Sequence, residues 1–508
     1  MAIELELKLH ITPENLLRLK RHPFLRSLSP GRERTLRLYS IYYDTPDLEL
    51  RRRGMALRLR RAGKQWLQTL KGGGQVSAGL HRRNEWEMPV PTEQLDFAAL
   101  KAGGGELPNG VRSRLQPVFV TDFSRSARRL NFEGAEIELC MDSGEIRAGQ
   151  SSCPISELEL ELQPVTGLDM YAGLPESQGT PQLFRLALAL LDIVPLQVEL
   201  TSKAEYGYLL YSATKPAVSK GKFPALKKSQ PVAGALQSLV GACLAHVQAN
   251  VPGALLKLDE EYLHQVRVGL RRLRVVLSIA QRFHADAELA VLREQVTKLC
   301  VELGRSREWD VFVTQTLAPI CTRLPEHAGL REVLSASERA RKHQHAGMEN
   351  SLASQDFQRL LLRFGAWMHG GQQEDGSTTL EQFARQTLTR RNKQVLNHGG
   401  GVVEENAAQL HALRIACKKL RYSIEMFGSL FPEAKTRHYE IALSELQDIL
   451  GTLNDIAVAH RLLDGLDNAA RHDTLALIRG WMEHDYAERV AEFGKAWKRF
   501  KAQKEFWN

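Results

Sequence analysis

The period of the hydrophobic pattern changes near residue 210, and this change limits the possible folds more than any other feature of the sequence. Before it, apolar and polar residues alternate in short segments broken by turn residues, which is typical of antiparallel β-strands. Residues 211–231 are rich in Lys, Ser and Pro and follow no period, which indicates a linker. The rest has the period of amphipathic helices. We therefore predict an α+β chain with a strand domain at 1–210, a linker at 211–231 and a helical domain at 232–500.

The helical part contains an internal repeat. A His and three basic residues recur at offsets i, i+3, i+7 and i+10, first as His264, Arg267, Arg271 and Arg274 and again as His411, Arg414, Lys418 and Arg421. A Leu-Gly pair begins 39 residues after the His in both copies. Two copies of one helical unit predict two helical bundles related by approximate symmetry.

The net charge of +9 is concentrated in the helical part. Residues 1–210 hold 27 basic and 26 acidic side chains, so eight of the nine excess positive charges lie beyond residue 210. A basic excess in one domain is typical of a protein that binds a polyanion.

The repeated offsets place each basic stripe along one side of its helix. A solvated helix face is the alternative interpretation, but like charges at this spacing repel by a few tenths of a kcal/mol per pair, and the stripe occurs twice. No Phe, Tyr or Trp lies between His264 and Arg274, so the stripe lacks the stacking platform of proteins that bind single-stranded nucleic acid. We therefore expect a long polyanion, and not a nucleic acid, as the partner.

In the strand domain, charged residues share one face of several strands. Glu4, Glu6 and Lys8 lie on one face because side chains alternate across a strand. The same parity groups Arg58 with Arg60, Thr69 with Lys71, Arg83 with Glu85 and Glu87, Glu136 with Glu138, and Glu157 with Glu159 and Glu161. These are either solvated faces of a half-buried sheet or, if the sheet closes with this face inward, the lining of a charged tunnel. Such a tunnel suits a metal-bound phosphate chain, because carboxylates bind Mg²⁺ or Mn²⁺ and basic side chains bind phosphate oxygens.

These residues resemble a known family. Glu4-Leu5-Glu6-Leu7-Lys8 is similar to the E-x-E-x-K signature of CYTH domains, the triphosphate tunnel metalloenzymes, and the resemblance continues to about residue 207. The later segments are Tyr43-Asp44-Thr45, Leu57-Arg58-Leu59-Arg60, Thr69-Leu70-Lys71, Arg83 to Glu87, Glu157 to Glu161 and Ser202-Lys203-Ala204. The resemblance implies an eight-stranded antiparallel β tunnel that binds a triphosphate together with Mg²⁺ or Mn²⁺.

The resemblance also implies roles for individual residues. Carried over by position, the metal ligands are Glu4, Glu6, Glu159 and Glu161. The catalytic residues are Glu4, Glu6, Lys8 and Lys71, and the substrate-binding residues are Arg58, Arg60, Arg83, Arg125 and Lys203. For Arg37, Arg83 and Arg125, alternative registers are offered by Arg34, Arg82 and Arg128.

The two basic stripes resemble the signature helices of a second family, the CHAD domains. The matching segments are His264-Gln265-Val266-Arg267 with Leu270 to Arg274, and His411-Ala412-Leu413-Arg414 with Lys418 to Tyr422. The resemblance covers about 232–500 and implies an all-helical fold of two four-helix bundles, whose eight stripe residues bind polyphosphate. The first repeat is two residues longer between Leu303 and Asp310 than the second repeat is at its counterpart, which leaves the roles of Arg305 and Arg307 open.

The leading hypothesis is an inorganic triphosphatase, acting on tripolyphosphate, with an attached polyphosphate-binding module. Alternatives are a CYTH enzyme acting on a nucleoside or thiamine triphosphate, an adenylate cyclase, or a non-catalytic polyphosphate-binding scaffold. The tunnel motifs recognise the triphosphate and not its substituent, so they do not separate the enzymes. Complete carboxylate pairs, which a pure anion binder does not need, argue against the scaffold.

The sequence predicts a cytoplasmic location and no membrane partner. The N-terminal segment has Glu and Lys among its apolar residues, unlike a secretory signal. The apolar stretch at Leu186–Leu200 is interrupted by Asp192 and Pro195 and is too short for a membrane helix. The six cysteines are scattered without a C-x-x-C pair, as in buried thiols of a reducing compartment.

Overall fold

The computed structural model describes residues 2–29, 31–163, 179–371, 378–402, 406–466 and 471–508. By their contacts, the residues form two compact units. Unit 1 comprises Met1–Val218 and Ser354–Gly371, and unit 2 comprises Ser219–Ala353 and Gln372–Asn508. The predicted domain boundaries stay a prediction, because unit 1 also takes in a segment from the middle of the helical part.

Unit 1 is built on a closed barrel. In the described residues its strands are β1 (Ala2–His10), β2 (Arg34–Asp44), β3 (Ala56–Ala62), β4 (Gln65–Ser77), β5 (Leu80–Val90), β6 (Gln116–Phe132), β7 (Ala135–Ala148), β8 (Ser151–Leu162) and the short β9 (Gln197–Val198). The order β5-β4-β3-β2-β6-β7-β8-β1 closes on itself because β1 also pairs with β5, and β9 adds to β1. All pairings are antiparallel. The predicted eight-stranded antiparallel β tunnel is confirmed.

The strand register places the charged faces of the strands inside the barrel. In β1, Glu6 lies opposite Glu161 and Lys8 opposite Glu159, while Glu4 lies opposite Arg83 of β5. The alternate residues face outward and form an apolar core, in which Leu7 and Leu9 are fully buried. The barrel therefore has an apolar outside and a charged inside, the reverse of a barrel filled by hydrophobic side chains.

Six helices accompany the strands in the described part of the sequence up to Ser212. They are α1 (Pro13–Lys20), α2 (Pro23–Leu28), α3 (Glu49–Arg52), α4 (Phe97–Ala102), α5 (Thr180–Leu191) and α6 (Lys203–Ser212), with a 3-10 turn at Arg112–Arg114. Helix α5 covers the outer apolar face of the barrel: Leu183, Phe184 and Leu186 join the same core as Leu7 and Leu9. Helix α6 begins at Lys203, with Ser202 as its N-cap, and this start directs Lys203 into the barrel.

Beyond residue 231 the described chain is mostly helical, as predicted. The helices are α7 (Val232–Leu255), α8 (Glu260–Phe283), α9 (Ala287–Val311), α10 (Ala318–Arg323), α11 (Ala328–Ala353), α12 (Gln355–His369), α13 (Leu380–Gly399), α14 (Ala407–Phe427), α15 (Glu433–Asp464) and α16 (His472–Lys501), with a π-helical segment at Phe312–Leu317 and a 3-10 turn at Gly428–Leu430. Helices α7, α8, α9 and α11 pack in one group and α13, α14, α15 and α16 in another, and α8 contacts α14. Each group is a set of four helices.

Helix α7 is long and apolar enough to cross a membrane by length and composition alone. Of its most apolar stretch, 61% is buried inside the structure, and core helices that never meet a membrane pass the same test. The membrane signal is therefore weak, and it comes from a different segment than the apolar stretch considered in the sequence.

Helix α12 belongs to unit 1. The side-chain oxygens of Gln355 and Gln358 accept hydrogen bonds from the backbone N–H groups of Leu196 and Val198, at 3.0 and 2.8 Å. Leu362 is fully buried in the core that contains α5. A helix that comes late in the sequence thus completes the packing of unit 1.

Candidate functional site

A narrow cavity with about 60 Å³ of space for water-sized molecules lies inside the barrel. It is lined by Glu4, Glu6, Lys8, Tyr42, Ala56, Arg58, Arg60, Lys71, Arg83, Arg125, Glu159, Ser202, Lys203 and Ala204. The structure thus brings together all the predicted catalytic and substrate-binding residues. Of the four predicted metal ligands, only Glu161 is outside this lining, although its backbone lies opposite that of Glu6.

Glu159 is the centre of a buried ion network. Its carboxylate contacts Lys8, Arg125 and Lys203, the last at 3.0 Å. Burial acts to raise the pKa of Glu159, but the three cations outweigh burial and hold this pKa well below its usual range. Glu159 is therefore ionised and fixes the positions of three basic side chains.

Two further carboxylates support the same cations. Asp142 contacts Lys203 and Arg125, both at 2.6 Å, and Glu157 contacts Lys203. Oxygens of Asp142, Glu157 and Glu159 lie within 4.8 Å of one another, a grouping that could hold a metal ion. A metal there would have to displace cations that these oxygens already bind. Asp142 was not among the predicted residues because Cys140 interrupts the alternating acidic residues Glu136 and Glu138, although Asp142 has the same parity.

At two further carboxylates, Glu4 and Glu161, burial and acidic neighbours raise the pKa. Burial, followed by Glu4, Glu6 and Glu159, raises the pKa of Glu161 to about 8, and no ion pair to Glu161 occurs among the described residues. Burial raises the pKa of Glu4 as well, although Lys71 lies 2.5 Å away. A divalent cation bound by Glu4, Glu6 and Glu161 would relieve this repulsion, but it would also compete with Lys71 for Glu4 and with Lys8 for Glu6.

Some cations of the cavity lack a carboxylate partner. Arg60 donates from Nε to Ser40 Oγ at 3.2 Å, and burial together with Arg58 and Arg125 lowers its pKa to about 10. Neither Arg60 nor Arg83 forms an ion pair with a carboxylate in the part of the chain that the structure describes. Arg58 lies 3.6 Å from Glu85 and 3.9 Å from Glu87, but its Nε is buried without a hydrogen-bond partner among the described residues. Such guanidinium groups fit phosphate oxygens.

Two uncharged side chains were missed from the sequence. Tyr42 is only 4% exposed and lines the cavity; burial acts to raise its pKa, but Arg58 and Arg60 lower it overall. His81 Nδ1 lies 3.3 Å from an amino group of Arg83, and its Nε2 lies 3.3 Å from the carbonyl oxygen of Glu199. Burial and the neighbouring Lys8 lower the pKa of His81 to about 3, so the ring is neutral and can accept a hydrogen bond from Arg83.

The structure also separates the alternative arginine registers. Arg83 and Arg125 line the cavity and their alternatives do not, and Arg128 pairs with Glu33 at 3.0 Å. Arg37 is 79% exposed in its side chain and pairs with Asp122 at 2.9 Å. Arg37 is therefore outside the charged cavity.

In unit 2 the two basic stripes lie on α8 and α14, which contact each other. The positive charge of Arg271 on α8 contributes, after burial, to lowering the pKa of both Arg414 and Lys418 on α14. Burial, then Arg414 and Arg271, lower the pKa of Lys418 to about 7, and burial, then Arg271 and Arg307, lower that of Arg267 to about 9. The predicted stripes therefore form one cationic surface, called here the stripe surface.

Several stripe residues also make structural contacts. Arg267 donates to the carbonyl oxygens of Leu303 and Gly304, which connects the stripe with the Leu-Gly pair of its repeat. In the second repeat, His411 lies 2.7 Å from Asn454 Oδ1 and Arg421 donates to Gln447 at 3.1 Å. These contacts hold part of the stripe surface in place.

The extra length between Leu303 and Asp310 forms no loop, because α9 is continuous there. Asp310 instead accepts from Arg341 and His345, each at 2.8 Å. Arg307 lowers the pKa of Arg267 and so lies near the stripe surface.

The fold and the two sites together define a two-domain protein with a charged β tunnel and a basic helical surface. Residues 2–165 match the family model of the CYTH domain, and residues 238–464 match that of the CHAD domain. The chain therefore contains a CYTH domain followed by a CHAD domain, as the sequence motifs predicted.

Known proteins resemble the chain in part or over most of its length. An inorganic triphosphatase of Haemophilus influenzae is 34% identical over 212 residues, which is 42% of this chain and 56% of that protein; the match thus spans little more than half of that relative. An uncharacterized protein of Mycobacterium tuberculosis is 25% identical over 90% of this chain and 88% of its own length. The crystal structure of the CHAD domain from the plant Ricinus communis is 29% identical with a TM-score of 0.50, and the match covers 57% of this chain and 98% of that one.

Proposed function

We propose that the barrel catalyses metal-dependent hydrolysis of inorganic triphosphate. The observation that carries the proposal is the unbalanced charge of one buried site. Among the described residues, Arg60 and Arg83 form no ion pair with a carboxylate, while burial and neighbouring carboxylates raise the pKa of Glu4, despite Lys71, and of Glu161. A phosphate chain bound with a divalent cation satisfies both groups at once. The Haemophilus relative, named an inorganic triphosphatase, supports this choice of substrate.

Positioning and fixed charge supply most of the catalysis in phosphoryl transfer. Arg58, Arg60 and Arg83 would bind the phosphate oxygens, and Lys8, Arg125 and Lys203 are held in place by Glu159 for the same purpose. Glu4, Glu6 and Glu161 would hold Mg²⁺ or Mn²⁺, which when bound neutralises phosphate charge and lowers the pKa of water. The predicted metal role of Glu159 competes with the cations it binds, so we assign Glu159 to positioning.

Release of phosphate from tripolyphosphate, ATP and thiamine triphosphate, measured side by side, tests the substrate. We expect turnover of tripolyphosphate with Mg²⁺ or Mn²⁺ and none with EDTA. Faster turnover of ATP or thiamine triphosphate would favour the nucleotide or thiamine enzymes, and formation of cyclic AMP would favour a cyclase. Binding without turnover of any of the three would favour the scaffold.

For unit 2 we propose that the stripe surface binds inorganic polyphosphate. The support is the meeting of two cationic stripes at Arg271, Arg414 and Lys418, where burial and then the charges of Arg414 and Arg271 lower the pKa of Lys418. Exchange of these three residues for Gln is expected to weaken binding of long-chain polyphosphate and to flatten its salt dependence, because fewer counterions are released. Arg267 is not exchanged because it also binds backbone carbonyl groups.

We further propose that the protein acts in the cytoplasm. All six cysteines are free thiols, which suits a reducing compartment. Fractionation of cells that express the tagged protein tests this location, and recovery with membranes or outside the cell would contradict it.

A further inference from the structure

Unit 2 carries a second group of cations beside the stripe surface. It comprises Arg274, Arg282, Arg293, Arg390, Arg391 and Lys419, which come from four helices, α8, α9, α13 and α14. This group is called here the α13 cluster. Apart from Arg274, none of its members belongs to the repeated stripes.

The α13 cluster lacks acidic partners. No carboxylate of the described ranges lies within ion-pair distance of any of its six members. Arg391 is only 4% exposed, yet it donates only to uncharged groups, Ser278 Oγ at 2.8 Å and Gln394 Oε1 at 3.3 Å. The Nε atoms of Arg390 and Arg391 are buried without a hydrogen-bond partner among the described residues. Buried charge without a counter-charge is unfavourable, so these groups favour an anion.

The members are close enough to repel one another. Burial, then Arg391, Arg274, Arg293 and Arg282, lower the pKa of Lys419. Burial, then Arg390 and Arg282, lower that of Arg391 to about 10. The negative end of the α8 dipole accounts for Arg282 in the last turn, but Arg391 and Lys419 lie inside their helices and need another explanation.

The α13 cluster is continuous with the stripe surface. Arg274 belongs to both groups. Its positive charge, after burial and Arg391, lowers the pKa of Lys419 in the cluster. Its charge also reaches the thiol of Cys300, as do those of Arg267 and Arg271 in the stripe surface. Lys418 and Lys419 are neighbours in α14, one in each group. A linear polyanion can therefore contact both groups in one bound state.

We propose that the α13 cluster is a second phosphate-binding segment, so that unit 2 prefers a condensed phosphate chain long enough to contact both groups over a short one. This inference rests on the proposed binding of polyphosphate by the stripe surface. A chain that contacts both groups releases more counterions, and its second contact is intramolecular and therefore favoured by a high effective concentration.

The test uses the full chain with Arg282, Arg390 and Lys419 replaced by Gln. All three side chains are exposed or half-buried, so folding should be retained, and the melting temperature checks this. The matched control replaces Lys498, Lys501 and Lys504, which are exposed in or just after α16, and it removes the same number of positive charges. Affinity is measured for long and short polyphosphate chains over a range of salt concentrations.

We expect the cluster variant to bind long chains at least about tenfold more weakly, with the salt slope reduced by roughly 0.7 for each lost contact. Its affinity for short chains should stay close to that of the control variant. Equal affinities of the two variants for long chains, or an equal loss for short chains, would overturn the inference. If the unaltered chain bound no polyphosphate, the proposed function itself would fail, and the inference with it.

Discussion

Glu6 and Glu159 are both buried carboxylates of the barrel, but they have different surroundings. Glu159 contacts three cations, whereas Glu6 has one close cation, Lys8, at 2.9 Å, which Glu159 also binds. Loss of Glu159 therefore leaves Arg125 and Lys203 with fewer partners in a buried site. Loss of Glu6 leaves Lys8 with Glu159 as its counter-charge.

We therefore expect Glu6→Gln to abolish metal-dependent triphosphate hydrolysis while it shifts the melting temperature little. Glu159→Gln should destabilise the fold by about 3–5 kcal/mol, as expected when a buried ion pair loses one partner. Phosphate release and urea unfolding on both variants measure the difference. Full turnover of Glu6→Gln at saturating metal would contradict the assignment of Glu6 to the metal site.

Lys418 gives polyphosphate binding a pH dependence. Its pKa of about 7 means that the side chain is charged below this pH and neutral above it, and a bound polyanion favours the charged form. Affinity for polyphosphate should therefore fall as the pH rises through about 7. Lys418→Arg, whose guanidinium stays protonated, should show a smaller fall.

Binding isotherms of the two proteins across this pH range measure the effect. For the unaltered protein we expect a roughly tenfold loss of affinity, equivalent to about 1.4 kcal/mol. Identical pH profiles would show that Lys418 does not contact the phosphate chain.

At the scale of elements, the sequence predicted the barrel because β1 and its partners keep strict alternation, as in Glu4, Glu6 and Lys8. The same alternation predicted which residues meet in the cavity. Alternation alone could not decide which of two neighbouring arginines faces the cavity. That choice depends on the register of cross-strand pairing, which places Arg125 inside the cavity and Arg37 outside it. The α13 cluster was not visible, since its members are scattered over four helices that only tertiary packing brings together.

The location of α12 could not be predicted either. Its amphipathic pattern indicates a helix with one buried face, and the partner of that face is set by long-range packing. Helix α12 packs on α5 and β9, and both elements are far from α12 in the sequence. A cut in the predicted linker at 211–231 would therefore separate α12 from the residues on which it packs.

The contact of α12 with α5 depends on Gly365. A Cβ at this position would lie 2.1 Å from the ring of Phe184, and Phe184 is fully buried. Gly365→Ala should therefore destabilise unit 1 by about 1–3 kcal/mol through overpacking. The control is Gly480→Ala in α16, where no described atom beyond the local helix backbone lies within 4 Å of the added Cβ; it should stabilise by roughly 0.5–1 kcal/mol. Equal effects of both exchanges on unfolding would contradict the docking of α12.

At the scale of the whole molecule, unit 1 is assembled from two separate segments of the chain. A fragment that ends at residue 218 lacks α12 and should unfold at a lower temperature than the same fragment mixed with a peptide of residues 354–371. Binding to the folded state raises stability by mass action, so the melting temperature should rise with peptide concentration. A peptide with Gly365→Leu is the control, and equal melting temperatures with both peptides would contradict the interpretation.

The position of α12 in the chain also bears on how the protein is made. During synthesis the barrel strands leave the ribosome first, but the helix that covers α5 follows only after residues 219–353 have been added. At roughly 5–20 residues per second this interval is on the order of ten seconds. Throughout it, the nascent barrel exposes the apolar surface that Leu362 later fills. Chaperones that bind such surfaces should therefore associate with ribosome-bound chains until residue 371 has emerged, and release them afterwards.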